Sequence, residues 1–301
     1  MREDEDLEDT AGTLPRRQLG RMLREARQAT GMSIEHAARL MEWGTSTLSR
    51  LERGQTERIR IRDVLGLCEL YGLDEEQTAV IQELAEQAPV RSWWRSYDDV
   101  MLAKFNVFVG LEAGASEVAI FQPLIVPGLL QTADYARILD RQYFPDDPEE
   151  EIDRRVEVRS QRQHRITRKR HPIRLSVVLH EAVLRTVVGS PAVMAAQLRF
   201  IADVSTRENV EVRILPFRAG FPVGRVISSF IVMSFPRNIR GGPVEPDIVY
   251  AESFTGDVYL ERREDVRRCR EAFSRLHAAT LAARPSRDLL REIAREYDSD
   301  R

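Results

Sequence analysis

The segment Gly31–Gly54, GMSIEHAARLMEWGTSTLSRLERG, constrains the fold of this chain more than any other stretch. Ser33 stands where an N-cap is needed, and Ile34, Ala37, Ala38 and Met41 recur at the i, i+3, i+4, i+7 spacing of one buried helical face. Glu42-Trp43-Gly44 interrupts that pattern, with Gly44 expected either to take a turn conformation or to cap the next helix. A second helix, from Thr45 to about Arg53, buries Leu48 and Leu51 and turns Thr45, Ser46, Ser49 and Arg50 outward. Gly54 stops it as a C′ glycine. Small hydroxyl side chains let a backbone come close, and a guanidinium can take guanine O6 and N7 with two bonds. An exposed helix start of this make-up suits the reading of base edges better than plain solvation.

Composition frames the segment. At 301 residues the chain exceeds one average domain, and a hydrophobic content of 43% supports packed cores. The net charge of −3 looks unfavourable for a polyanionic partner, but the charge is segregated. Residues 1–13 contain the acidic run Glu3-Asp4-Glu5-Asp6-Leu7-Glu8-Asp9 without a hydrophobic pattern, so a disordered acidic tail is expected there. Between Leu14 and Arg62 eleven arginines stand against five glutamates, as phosphate binding requires. Cys68 and Cys269 each fall in an expected helix, far apart in sequence, and read as buried free thiols; no metal-ligand spacing is present. No apolar run approaches about 18 residues and the charged start is no signal peptide. A cytoplasmic protein that does not contact the membrane is expected.

The run Ser46-Thr47-Leu48-Ser49-Arg50-Leu51-Glu52-Arg53-Gly54, with its spacing from Gly31, resembles the helix-turn-helix of the Xre family, the group that includes the lambda-type repressors and Cro. The resemblance implies that Thr45, Ser46 and Arg50 contact bases of double-stranded DNA, with Thr47 and Ser49 beside them. It also implies a structural ion pair between Arg27 and Glu52, tying the first helix to the recognition helix. Ile34 stands where the family usually has a glutamine that bonds phosphate, which weakens one anchoring contact. Candidate phosphate contacts are Ser33, Arg53, Arg58 and Arg60; solvated charge is the competing reading for Arg58 and Arg60. The expected fold of residues 14–88 is a lambda-repressor-like all-α domain of five helices. They are Leu14–Ala29, the two helices above, Ile61–Tyr71, and one capped by Asp74 that runs to about Gln87. One short recognition helix reads few base pairs, so a homodimer on paired half-sites is expected.

Ala88-Pro89-Val90 marks the boundary, and residues 89–301 change character. Trp93-Trp94 could stack on a base or ligand, but packing is the commoner use of such a pair. Helices are expected over Leu102–Ala115, over Ala133–Arg141 after Thr132, and from Pro148 at N1 to about Arg165. Two more follow at Glu181–Val188 and Pro191–Ser205, and two close the chain, Arg263–Leu281 and Ser286–Tyr297, the last capped by Ser286. Ala119–Val126 reads as extended, and strands are expected at Ile173–Leu179, Val210–Leu215, Val226–Phe235, Ile248–Ala251 and Val258–Leu260, with Gly241-Gly242-Pro243 in a hairpin loop. Strands interleaved with helices early and consecutive later indicate an α+β domain with a mixed or antiparallel sheet. The arginines of the Pro148 helix alternate with Glu149, Glu150, Glu151, Asp153 and Glu157, which favours a solvated or partner-facing helix over nucleic-acid binding.

The runs Phe121-Gln122-Pro123, Val126-Pro127-Gly128-Leu129-Leu130-Gln131-Thr132 and Val212-Arg213-Ile214-Leu215-Pro216-Phe217 resemble the C-terminal domain of a large actinobacterial group. There an Xre-type module precedes a domain of unknown biochemistry, in proteins described as antitoxin-like or as developmental regulators and often encoded beside a small partner protein. Catalytic patterns are missing. His180-Glu181 begins like a zinc-protease helix, but Leu184 stands where the second histidine must be, and neither a phosphate-binding glycine loop nor G-x-S-x-G occurs. No enzyme, cofactor or metal is expected. The readings for the second domain are a sensor of a small-molecule ligand or protein partner within a transcription regulator, an antitoxin-like protein that binds a small neighbouring-gene product and autoregulates, or, against the missing motifs, an unrecognised enzyme fused to a DNA-targeting module.

Overall fold

The computed structural model describes residues 14–56, 59–87, 93–97, 99–101, 103–169, 171–236, 245–253 and 256–299. The acidic tail, Arg58 and the Gly241-Gly242-Pro243 loop lie outside the described residues. The chain divides into two compact units, Met1–Gly114 and Ala115–Arg301. The helix Ala103–Gly114 therefore groups with the first unit, although the linker-like composition at Ala88-Pro89-Val90 had suggested an earlier boundary.

Five helices build the core of the first unit: α1 (Leu14–Ala29), α2 (Ile34–Leu40), α3 (Thr45–Glu52), α4 (Ile61–Leu70) and α5 (Glu75–Gln87). Leu19 and Leu23 of α1 meet Ala37, Ala38, Leu48, Leu51, Val64, Leu67 and Ile81 in one apolar cluster. The ends are set by local chemistry. Ser33 Oγ accepts from the His36 N–H at the start of α2. Asp74 and Gln77 satisfy each other's backbone amides in a capping box before α5. Trp94, in a 3₁₀ turn over Trp93–Tyr97, is buried, in keeping with packing. α6 (Ala103–Gly114) completes the unit.

The second unit is a six-stranded mixed sheet in the order β3-β2-β1-β4-β5-β6. Its strands are β1 (Glu117–Gln122), β2 (Arg174–His180), β3 (Val210–Leu215), β4 (Phe230–Ser234), β5 (Ile248–Ala251) and β6 (Val258–Leu260). β1, β2 and β3 are parallel neighbours, whereas β4, β5 and β6 add antiparallel beside β1. The crossovers carry α7 (Ala133–Tyr143), α8 (Glu149–Thr167), α9 (Glu181–Arg185) and α10 (Pro191–Val204), and the chain closes with α11 (Arg263–Ala278) and α12 (Ala283–Ser299). One face of the sheet packs Phe121, Val178, Leu215, Phe230, Val232 and Val249 against Val266 and Leu276 of α11.

Several expected boundaries are corrected. Ser286 does not cap the last helix; it lies inside α12, fully buried, where its Oγ accepts from the Ile214 N–H on the outer edge of β3 (3.0 Å). Leu281 is not helical for the same reason, because its N–H donates to the Ile214 carbonyl (2.9 Å). Together the two residues occupy backbone groups that an edge strand would otherwise leave open. β4 starts at Phe230 and not at Val226: Ile227 and Phe230, three residues apart, both pack into the same core, a spacing that no strand has. β1 ends at Gln122, and α9 ends at Arg185. Pro148 is the N-cap residue of α8, one place before N1.

The run Val126–Thr132 is architectural. Its 3₁₀ turn, Gly128–Leu130, buries Leu129 and Leu130, and its backbone is held by three glutamines. Gln131 Nε2 donates to the Val126 carbonyl (2.8 Å), Gln163 Nε2 to that of Gln131 (2.6 Å) and Gln197 Nε2 to that of Leu130 (2.6 Å). A Cβ on Gly128 would come 3.2 Å from the Arg162 guanidinium, so a larger residue there would crowd it. The arginines of α8 have structural partners on several elements, including the Ala115 carbonyl, which accepts from Arg165 Nη2 (2.6 Å). Arg159 forks onto Asp140 (2.5 and 2.7 Å), Arg155 pairs with Asp147, and Asp153 of α8 receives Arg137 of α7.

Candidate nucleic-acid interface

α3 is presented by its surroundings as a fixed rod. Leu48, Leu51 and Glu52 are buried, while Thr45, Ser46, Thr47 and Arg50 are exposed and Ser49 is half-buried. The turn before it uses Gly44 in the second of its two expected roles. Gly44 is in extended conformation (φ −68°) as the N-cap of α3, and the left-handed residue is Glu42 (φ 57°). Glu42 N–H donates to the Arg39 carbonyl and Trp43 N–H to that of Ala38, the paired bonds of a Schellman motif. α3 ends in the same motif, with Gly54 at φ 71°, its N–H on the Leu51 carbonyl and that of Gln55 on Arg50.

Two close approaches hold α3 against α1. A Cβ on Gly20 would lie 2.5 Å from the Leu51 carbonyl oxygen, and one on Gly54 would lie 2.7 Å from the Arg17 Cα. Both distances are shorter than any real Cβ contact, so the two backbones meet only because these positions are glycine. Gly20 was not singled out from sequence, because a glycine inside a helix acquires this meaning only from the element packed against it.

The third tie is ionic. Arg27 Nε and Nη2 donate to the two carboxylate oxygens of Glu52 at 2.6 and 2.9 Å, and Nη1 donates to the Met32 carbonyl at 2.8 Å. Arg27 is 8% exposed and Glu52 7%. The hydrogen bonds that Arg27 donates to Glu52 raise its pKa above the ordinary value, so the guanidinium stays charged throughout the accessible pH range. The Tyr71 hydroxyl, pushed up to about 12 by burial and then by the Glu52 carboxylate, is buried nearby without a hydrogen-bond partner among the described residues. The pair expected from resemblance is thus formed, and it joins α1 to α3 and to the loop before α2.

The candidate phosphate contacts Ser33, Arg53 and Arg60 are all exposed, at the start of α2, the end of α3 and the start of α4. Ser33 Oγ accepts from the His36 N–H, and its hydroxyl also donates to the Glu35 carboxylate. A family model described as a helix-turn-helix domain matches residues 18–81, which span α1 to most of α5. The first unit therefore carries a helix-turn-helix domain, the module of DNA-binding regulators. A second model, described as a domain of unknown function (DUF5753), matches residues 105–292, more than half of the chain. The chain belongs to the DUF5753 family. No curated protein and no solved structure matches it significantly.

In the DUF5753 region the residues weighed for chemistry have structural duties. His180 Nδ1 accepts from the Ala182 N–H and caps α9, and its ring meets Phe217 edge-on at 5.0 Å. Burial lowers the His180 pKa, which favours the neutral ring that this acceptor role requires. Cys68 is buried, whereas Cys269 is only half-buried on α11; both are free. Among the described residues no helix is long and apolar enough to cross a membrane.

Proposed function

We propose that the chain is a sequence-specific transcription regulator of Xre type, whose α3 enters the major groove of duplex DNA and whose DUF5753 domain governs its assembly and response. The observation that carries this reading is the helix-turn-helix domain with a four-residue polar edge, Thr45, Ser46, Thr47 and Arg50, on a helix locked by Gly20, Gly54 and the Arg27–Glu52 fork. Arg50 reads a base, the hydroxyls adjust the fit, and Ser33, Arg53 and Arg60 set the register on phosphate. Two copies on half-sites about 34 Å apart supply the specificity that one short helix lacks.

The test is a duplex selected from a random library with the full chain, followed by titration of the Arg50→Ala protein. Loss of about 1–3 kcal/mol, confined to one position of the site, is expected. Equal affinity of both proteins for the selected duplex would remove Arg50 from the base-reading role.

A further inference from the structure

The described residues of the second unit expose a set of large apolar side chains at one end of the sheet. Leu124 is 67% exposed, Phe217 55%, Phe221 69% and Val226 80%. Strand register gathers them. Gln122 pairs with Leu179, His180 with Leu215 and Phe121 with Phe230, so β1, β2 and β3 finish where β4 begins. Leu124 follows β1 directly, Phe217 follows β3, and Phe221 and Val226 lie on the connection that returns to β4.

That connection is anchored, not loose. Ala219, Val223 and Ile227 pack on the core beneath the sheet end. The Phe217 N–H donates to Glu181 Oε2 (3.1 Å), and its ring rests against His180. Gly220 (φ 59°) and Gly224 (φ 78°) make the left-handed corners. The inward residues fix the path, and the outward phenylalanines have no core to enter.

We infer that this sheet end is a self-association surface, through which two copies of the chain pair about a two-fold axis. Taking about 200 Å² for a phenylalanine and somewhat less for valine and leucine, the exposed fractions leave roughly 450 Å² of apolar surface. A standard interface takes about 800 Å² from each partner, of which about 56–65% is apolar, so the patch matches the apolar share of one dimer half. Arg218 and Arg225 are exposed on the same β3–β4 connection and give the patch the charged rim that interfaces carry around an apolar centre. The surface would supply the two copies that the proposed function needs, but it stands on the second unit alone.

The experiment is sedimentation equilibrium of the full chain without DNA, for the wild type, Val226→Glu and Phe217→Ser/Phe221→Ser. Val226 is the safest probe, because a residue so exposed can be exchanged without disturbing its own subunit. A wild-type species of twice 34.6 kDa is expected, with dimerisation weakened at least tenfold in both variants and unchanged far-ultraviolet dichroism. A wild-type monomer at tens of micromolar, or variants that dimerise as the wild type does, would overturn the inference. Dimerisation that responds to Val226→Glu in a protein that binds no duplex would leave it standing and reject the DNA-binding reading instead.

Discussion

Removing the Glu52 carboxylate isolates the tie between α1 and the recognition helix. In Glu52→Ala the Arg27 guanidinium loses two hydrogen bonds, of 2.6 and 2.9 Å, and keeps only the one to the Met32 carbonyl. Both partners are more than nine-tenths buried, so water does not readily replace the lost carboxylate. Two charges about 4 Å apart attract by about 4 kcal/mol at an effective dielectric constant of about 20. That agrees with the 3–5 kcal/mol typically lost when one member of a buried pair is deleted. Against a total stability of about 5–15 kcal/mol, such a loss threatens the whole first unit. Hydrogen exchange on the full chain reads it locally: amides of α1 and α3 should lose protection by this amount, while those of β1 and β2 keep theirs. The double variant Arg27→Met/Glu52→Leu should recover most of the loss, because an apolar pair of similar volume has no charge to strand. A loss below about 1 kcal/mol in Glu52→Ala would show that the pair does not hold the helices together.

Glu42→Gly should stabilise the first unit by about 0.5–1 kcal/mol in denaturant melts, since glycine relieves the left-handed strain at φ 57° and gives back part of the gain through its freer unfolded chain; a destabilised variant would show that the Glu42 side chain matters more than its backbone. Tyr71→Phe should leave stability unchanged or improved, because the buried hydroxyl it removes has no hydrogen-bond partner among the described residues; a loss above about 1 kcal/mol would reveal one. Burial pushes the Glu211 carboxyl up, but hydrogen bonds from His277 and Arg213 outweigh it and hold the pKa below its ordinary value. A depressed folded-state pKa contributes stability above the unfolded value of about 4.3 that is lost as pH falls through the folded one. The melting temperature of the second unit should therefore fall more steeply with acidification below about pH 4 in the wild type than in Glu211→Gln; parallel curves would contradict this.

What could be read from the sequence was what local chemistry decides. The helical period of Ile34, Ala37, Ala38 and Met41, the Ser33, Asp74 and Thr132 caps and the stop at Gly54 are all found. β3, β5 and β6 begin and end at the expected residues, because short apolar runs with clear flanks leave little choice. Other positions depended on distant partners. Ser286 looked like a cap because its hydroxyl can serve one, yet it bonds Ile214, 72 residues earlier. Val226 looked like the first residue of a strand because it is β-branched, yet the core beneath it takes Val223 and Ile227. Gly44 caps α3, one of its two expected roles, while the left-handed conformation falls to Glu42, a type that seldom adopts it. At the interface, the Arg27–Glu52 fork was legible through resemblance, but the need for glycine at position 20 was not.

Whether the helix-turn-helix domain presents α3 to duplex DNA is read from equilibrium binding of the full chain to its selected duplex at increasing salt. Log affinity should fall linearly with log salt, by about 0.9 for each phosphate neutralised, with a shallower line for Arg53→Ala/Arg60→Ala. Affinity that is absent at about 50 mM salt, or indifferent to salt between about 50 and 200 mM, would contradict it.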